Sequence, residues 1–256
     1  MTLLAKAYNT SQRKLVDNFL KFTLKGLKVK TENCEVTPRG WVRIVLSGED
    51  EQVALNYLVE EVGLCPSRLE DVEKNATLKG RLTSMSKSKD ELSVDIGVSA
   101  PMIIDATISL QRLQAQLVDG RKVALKKIVE LFGLRENLPL EVKVLGVSEE
   151  NGHVEAMLSE KQVKQFKTWT QSLLDRLIII GSTDYEVKSA LKKAGLDRDV
   201  VDIKPLGFFE HAVVCKLGTD AKGLIPKIGK NLRNAGFAIF SPKRIIEFLD
   251  YSFLDD

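Results

Sequence analysis

The hydrophobic positions of the first 65 residues switch between two periods. "TLLAKAY" reads as a strand. In "SQRKLVDNFLKFTLKGL", Leu15, Val16, Phe19, Leu20 and Leu24 recur on one helical face and Gly26 stops the pattern. "KVKTENCEV" and "WVRIVLS" read as two strands joined through "TPRG", a turn signal. "GEDEQVALNYLVEEVG" then predicts a helix with acids in its first turn and Val53, Tyr57 and Leu58 facing inward. The order strand, helix, strand, strand, helix is that of a ferredoxin-like unit. Residues 175–246 repeat it in full: "RLIIIGS", "TDYEVKSALKKAG", "DVVDIKPLG", "FEHAVVCKLG", "DAKGLIPKIGKNLRNAG" and "FAIFSPKRI" give βαββαβ.

The middle reads differently. "LKGRLTSM", "ELSVDIGV" and "PMIIDATIS" are short strands with tight turns, followed by a helical insert, "LQRLQAQLVDGRKVALKKIVELFG". "LPLEVKVLGV" and "HVEAMLSEK" form a hairpin across an Asn-Gly turn. Five short strands with a helix before the fourth predict an OB-type barrel.

An offset of 170 residues superposes part of the two ends. Gly48 falls on Gly218, Asp50 on Asp220, Leu55 on Ile225 and Leu58 on Ile228. The preference of strand-to-helix turns for Gly and Asp accounts for this, and so does a duplicated module.

The central residues "KGRL", "ELSVDIG", "DATISLQRL" and "LPLEVKVLGVSEENGHVEAMLSEK", ending on Leu158, Ser159, Glu160 and Lys161, resemble the S1 class of OB-fold RNA-binding domains. That resemblance implies a barrel that grips RNA, with aromatics on its second strand; here Asp90 and Ser93 stand at those positions. Stacking on such aromatics is worth about 1–3 kcal/mol per base, so a main source of affinity is missing. The whole chain also resembles an archaeal domain-of-unknown-function family, through "GEDEQVALNYL", "VDIGV", "LPLEVKV" and "CKLGTDAKGLI". The expected fold is therefore α+β. A ferredoxin-like N-terminal unit takes residues 1–74 and an S1-like OB barrel with its helical insert takes 75–161. A connecting helix, 162–174, leads to a ferredoxin-like C-terminal domain at 175–256 that ends in an acidic-aromatic tail.

Composition narrows the function class. A chain of 256 residues with 44% hydrophobic and 29% charged residues is an ordinary globular protein. No apolar run approaches the roughly 20 residues of a membrane helix, and the N-terminus lacks a signal-peptide layout, so no membrane partner and a cytoplasmic location are expected. Cys34, Cys65 and Cys215 lie far apart without a CxxC pair, so buried reduced thiols are expected rather than disulfides or zinc. The net charge of +3 excludes a strongly basic nucleic-acid coater. Charge is unevenly placed, however: residues 216–244 hold seven Lys or Arg against one acid, Asp220, while the last ten residues hold four acids and no base.

The stretch "CKLGTDAKGLIPKIGKNLR" carries the basic cluster. Gly218 and Gly223 have P-loop separation, but Leu224 and Ile225 stand where Lys and Ser/Thr are required. No dinucleotide fingerprint occurs, and no cofactor is expected. On a helix over 220–235, Leu224, Ile225, Ile228 and Leu232 share one arc, and Lys222, Lys227, Lys230 and Arg233 the opposite one. Pro226 places the helix start near Leu224 or a kink there, and amides near Gly223 are candidates to meet an anion. A basic ridge suits a phosphate backbone. A solvated lysine face accounts for the same pattern. Further candidates for nucleic-acid contact are Lys216, Lys243 and Arg244, and on the barrel Lys87, Lys89 and Arg112.

Catalytic chemistry has weaker signals. His153 and His211 sit in no metal-binding spacing, so no metal is expected. Asp95 and Asp105 flank a turn, either as a carboxylate pair or as turn caps. In the tail, Phe248, Tyr251 and Leu254 recur at i, i+3 and i+6, fit either to dock on their own domain or to meet a partner. The expectation is a protein that is not an enzyme, whose partner is RNA in archaeal transcription or translation. The alternatives are an adaptor on RNA polymerase or the ribosome, and an enzyme using an inter-domain cleft.

Overall fold

The structure is a computed structural model and describes residues 1–83, 90–100 and 102–250. Among them, no helix is long and apolar enough to cross a membrane. The fold is α+β, with two four-stranded antiparallel sheets around a closed five-stranded barrel.

The first sheet takes β1 (Thr2–Lys6), β2 (Val29–Val36), β3 (Trp41–Gly48) and β4 (Leu64–Cys65) in the order β2-β3-β1-β4. Helices α1 (Thr10–Thr23) and α2 (Glu51–Glu61) cover one face. Leu3, Ala5, Val42 and Ile44 meet Val16, Leu20, Ala54 and Leu58 there. The inward set of α2 differs from the expected one: Ala54 and Leu58 are buried, while Val53 and Tyr57 are half exposed. In a helix of mixed pattern the alanine sits closest to the sheet and turns its bulkier neighbours outward.

The barrel takes β5 (Thr77–Leu82), β6 (Glu91–Val98), β7 (Ile104–Ser109), β8 (Pro139–Ser148) and β9 (His153–Leu158), closing in the order β5-β6-β7-β9-β8. β7 and β9 are parallel and β8 closes on β5. Alternation places Leu92, Val94, Ile96 and Ile108 inside. The glycines of the two motif strands have specific tasks. A Cβ on Gly80 would lie 2.6 Å from Val94 Cγ1, where β5 and β6 cross closely. Gly97 sits in the β6 bulge at φ +92°, and a Cβ there would lie 2.4 Å from Cys65 Cβ. The helical insert is two helices, α3 (Leu110–Leu117) and α4 (Leu125–Phe132), because Asp119 and Gly120 both adopt left-handed backbone.

Helix α5 (Glu160–Gln171) leads to the second sheet, whose strands β10 (Arg176–Ile180), β11 (Val200–Pro205), β12 (Glu210–Cys215) and β13 (Gly236–Phe240) run in the order β11-β12-β10-β13. The two sheets have the same topology. Leu177 and Ile179 pack against α6 (Asp184–Lys193) and α7 (Ala221–Ile228). The opposite face, with Ile178, Ile180 and Phe240, belongs to the barrel's own core through Phe132 of α4, Phe166 of α5 and α8 (Pro242–Leu249). The first sheet also turns its second face to the barrel, where Lys6 and Arg43 bond to Asp95 and Ser99. Both sheet faces that a ferredoxin-like unit would leave open are thus turned towards the central barrel.

Candidate nucleic-acid interface

Helix α7 is shorter than the sequence predicts. It starts at Ala221, runs through Pro226, ends at Ile228 and gives way to turns through residue 235. Two glycines and a proline within seven residues weaken further helix, and Leu232 anchors the following loop in the core. Its buried side is Ala221, Leu224 and Ile228, which leaves Lys222 and Lys227 in solvent. Lys230 and Arg233 continue the exposed line on the loop, and Lys216 follows β12. Among the described residues, none of these five side chains has an acidic or hydrogen-bonding partner.

The amides at the start of α7 are taken. Lys222 N–H donates to Asp220 Oδ1 at 2.8 Å, and Ala221 N–H to Asp175 Oδ2 at 3.3 Å. The anion-binding role considered for the backbone near Gly223 is thereby filled by the protein's own carboxylates. Three other basic candidates are also engaged. Lys243 lies 3.8 Å from Glu247, Arg244 pairs with Glu130 of α4, and Arg112 donates to Glu155 at 2.7 Å. Exposed pairs of this kind are worth little, so these three cations are weakly held. Lys87 and Lys89, and Tyr251 and Leu254 of the tail, lie outside the described residues. Phe248 packs against the central core, with Lys127 Nζ 5.6 Å from its ring and its carbonyl accepting from Arg121 at 2.8 Å.

The outer face of β6 and β7 explains why the barrel lacks aromatics. Glu91 stands opposite Ser109, Ser93 opposite Thr107, and Asp95 opposite Asp105. These carboxylates and hydroxyls offer a base no stacking surface. Arg39 of the N-terminal unit reaches across to bond Asp105 and lies 3.6 Å from Asp95. Asp95 Oδ1 also accepts from the Gly97 N–H at 3.0 Å, a turn-capping bond, and both carboxylates form the barrel's half of a contact with the N-terminal sheet.

That contact continues into a buried network that the sequence reading missed. Lys6 Nζ donates to Asp95 Oδ2 at 2.9 Å, and Arg81 Nη2 to Glu210 Oε2 at 3.2 Å. Glu210 also accepts from the Tyr8 hydroxyl at 2.5 Å, and the Trp41 ring centroid lies 4.7 Å from Lys6 Nζ and 5.7 Å from Arg81 Cζ. Burial and the Glu210 carboxylate drive the Tyr8 pKa far above that of a free tyrosine. Network members from the N-terminal sheet, the barrel and β12 thus meet at one point. The available signal was a charged residue inside an apolar strand, Lys6 in "TLLAKAY" and Glu210 in "FEHAVVC". His211, buried beside Glu210, has its pKa lowered mainly by desolvation, and its Nδ1 has no hydrogen-bond partner among the described residues. Cys65 and Cys215 are buried thiols pushed up to about 12 by desolvation.

A polar cleft of about 430 Å³ adjoins the basic line, between the start of α1 and the 230–235 loop. Asn9, Gln12, Ser182, Asn231 and Asn234 line it, with Lys230 and Arg233. No group of three His, Cys, Asp or Glu side chains able to hold a metal occurs among the described residues.

A closed OB-type barrel between two ferredoxin-like sheets, with an unpaired basic line on the second, defines a three-part α+β protein. The chain belongs to the DUF2110 family: residues 1–68 match its N-terminal domain, 72–170 its central domain and 174–240 its C-terminal domain. No curated protein matches the chain. Among solved structures, similarity extends to a chain in the crystal structure of the a/eIF2alpha-aDim2p-rRNA complex from Pyrococcus horikoshii OT3. The identity is 14% over 50% of this chain and 70% of that one, with a TM-score of 0.26. The intact alpha subunit of aIF2 from Pyrococcus abyssi is similar at 10% identity, over 66% of this chain and 97% of that one, also with a TM-score of 0.26.

Proposed function

We propose that this protein is a non-catalytic RNA-binding protein of archaeal transcription or translation, and that it holds the phosphate backbone on its C-terminal unit. The observation that carries the reading is the line Lys216, Lys222, Lys227, Lys230 and Arg233: five exposed cations with no acid partner among the described residues. Arg112, Arg244 and Lys6, by contrast, are each held by a carboxylate. Exposed charge without acidic partners is what a phosphate backbone needs, and it reads no sequence by itself. The outer face of β6 and β7 carries carboxylates and hydroxyls in place of aromatics, so the barrel surface that the S1 resemblance implies offers RNA no stacking.

The test is fluorescence anisotropy with short single-stranded and structured RNAs. The variant K222E/K227E/K230E/R233E is expected to lose binding while keeping its circular-dichroism spectrum. Equal binding by variant and wild type would overturn the reading. A second reading, a protein-interaction adaptor, is favoured by apolar side chains left outside on α1 and α2. Phe22 is 80% exposed, and Leu15, Val53 and Tyr57 are about half exposed. It predicts complexes that survive nuclease and are lost in F22E/Y57E.

A further inference from the structure

We propose that the polar cleft between the start of α1 and the 230–235 loop seats a single unstacked RNA nucleotide and discriminates among bases. Its phosphate rests on Lys230 and Arg233, and its base edge on asparagine amides. This inference rests on the RNA-binding reading and names what the basic line leads into.

The cleft is built rather than incidental. Its two walls come from different units of the chain and are tied together at its floor. Gln12 is buried, and its Nε2 donates to the Gly181 carbonyl at 2.8 Å. The opposite wall is fixed by Leu232, which is buried in the C-terminal core, and by turn hydrogen bonds from Asn231 N–H and Ala235 N–H. A volume of about 430 Å³ falls within the range of small-ligand sites.

Its chemistry is one-sided. Glu186 is the one acid among its lining residues, and Glu186 is occupied by the Thr183 N–H and hydroxyl at 2.8 and 2.9 Å. Lys230 and Arg233 have no acid partner among the described residues, so the cleft favours an anion at its mouth. The side-chain amides of Asn231 and Asn234 make no hydrogen bond among the described residues, which leaves a donor and an acceptor on each. The lining holds no aromatic ring. Recognition there therefore runs through base edges rather than stacking, and edges differ between bases whereas π-faces do not. A side-chain amide pairs in bidentate fashion with adenine, so adenine is the expected preference.

The experiment compares equal-length oligo(A), oligo(C) and oligo(U) RNAs by anisotropy, using the full chain at one low salt concentration. The wild type is expected to bind oligo(A) about tenfold more tightly than the weakest of the three. N231A/N234A, at two exposed positions, should bring the three affinities together near the weakest value. K222E/K227E should lower all three alike and keep their ratio. Equal affinities in the wild type, or a ratio that N231A/N234A leaves unchanged, would overturn the cleft assignment while leaving the backbone-binding reading intact. Absence of binding to all three would overturn both.

Discussion

Replacing Arg81 with methionine removes one half of an ion pair that is 2% exposed on the arginine and 0% on Glu210. Glu210 would keep the Tyr8 hydroxyl as a donor but would lose its one cationic partner among the described residues. At 3.2 Å and an effective dielectric near 20, the attraction lost is about 5 kcal/mol. Part of this is recovered as the site relaxes and admits water, so a net cost of about 3–5 kcal/mol is expected for R81M. In a chain of this size each kcal/mol moves the midpoint by about 2–4 °C, which gives a fall of roughly 6–20 °C. R81M/E210Q tests the cause. A glutamine carbonyl still accepts from Tyr8, and no buried charge is left alone, so the double variant should be more stable than R81M. Guanidinium denaturation followed by circular dichroism measures all four members of the cycle. A cost below about 1 kcal/mol for R81M, or a double variant no better than R81M, would refute the argument that uncompensated buried charge sets the penalty.

Three further outcomes follow from the same geometry. Because the Tyr8 pKa is raised in the folded state, its contribution is complete below the unfolded value near 10 and is lost as pH rises past it; denaturation at alkaline pH should show this slope in the wild type and a shallower one in Y8F. His211 has its pKa lowered on folding, so its contribution is complete above about pH 6.5 and falls as the pH drops below that value; H211Q should flatten stability between pH 7 and 5. G97A should cost about 1–3 kcal/mol, read as a shift in denaturation midpoint, since it combines a φ of +92° with a Cβ 2.4 Å from that of Cys65.

The repeating ferredoxin order was legible because its helices and strands carry opposite periods over stretches long enough to count. β4 was not, since two residues, Leu64 and Cys65, carry no period. The barrel strands were legible through alternation and the Asn-Gly turn, and the structure gives Gly80 and Gly97 a steric reason to be glycine. The basic line was visible as composition. Its division into free and paired cations was not, because Arg244 meets Glu130 and Arg112 meets Glu155 across 114 and 43 residues. The junction network was hidden for the same reason, with Lys6 and Asp95 separated by 89 positions and Arg81 and Glu210 by 129. The cleft beside Lys230 needs Asn9 and Asn234 on facing walls, a juxtaposition that exists only after the first and last units have docked.

The measurement that bears most directly on the central claim is the salt dependence of RNA binding. Each phosphate neutralised on a single strand contributes about −0.7 to the slope of log K against log salt, so five free cations predict a slope of about −3.5. The variant K222E/K227E/K230E/R233E, which keeps Lys216, should bring that slope to about −0.7, with affinity reduced at every salt concentration. A slope that is the same in wild type and variant would contradict the claim that this line of cations is where the protein meets RNA.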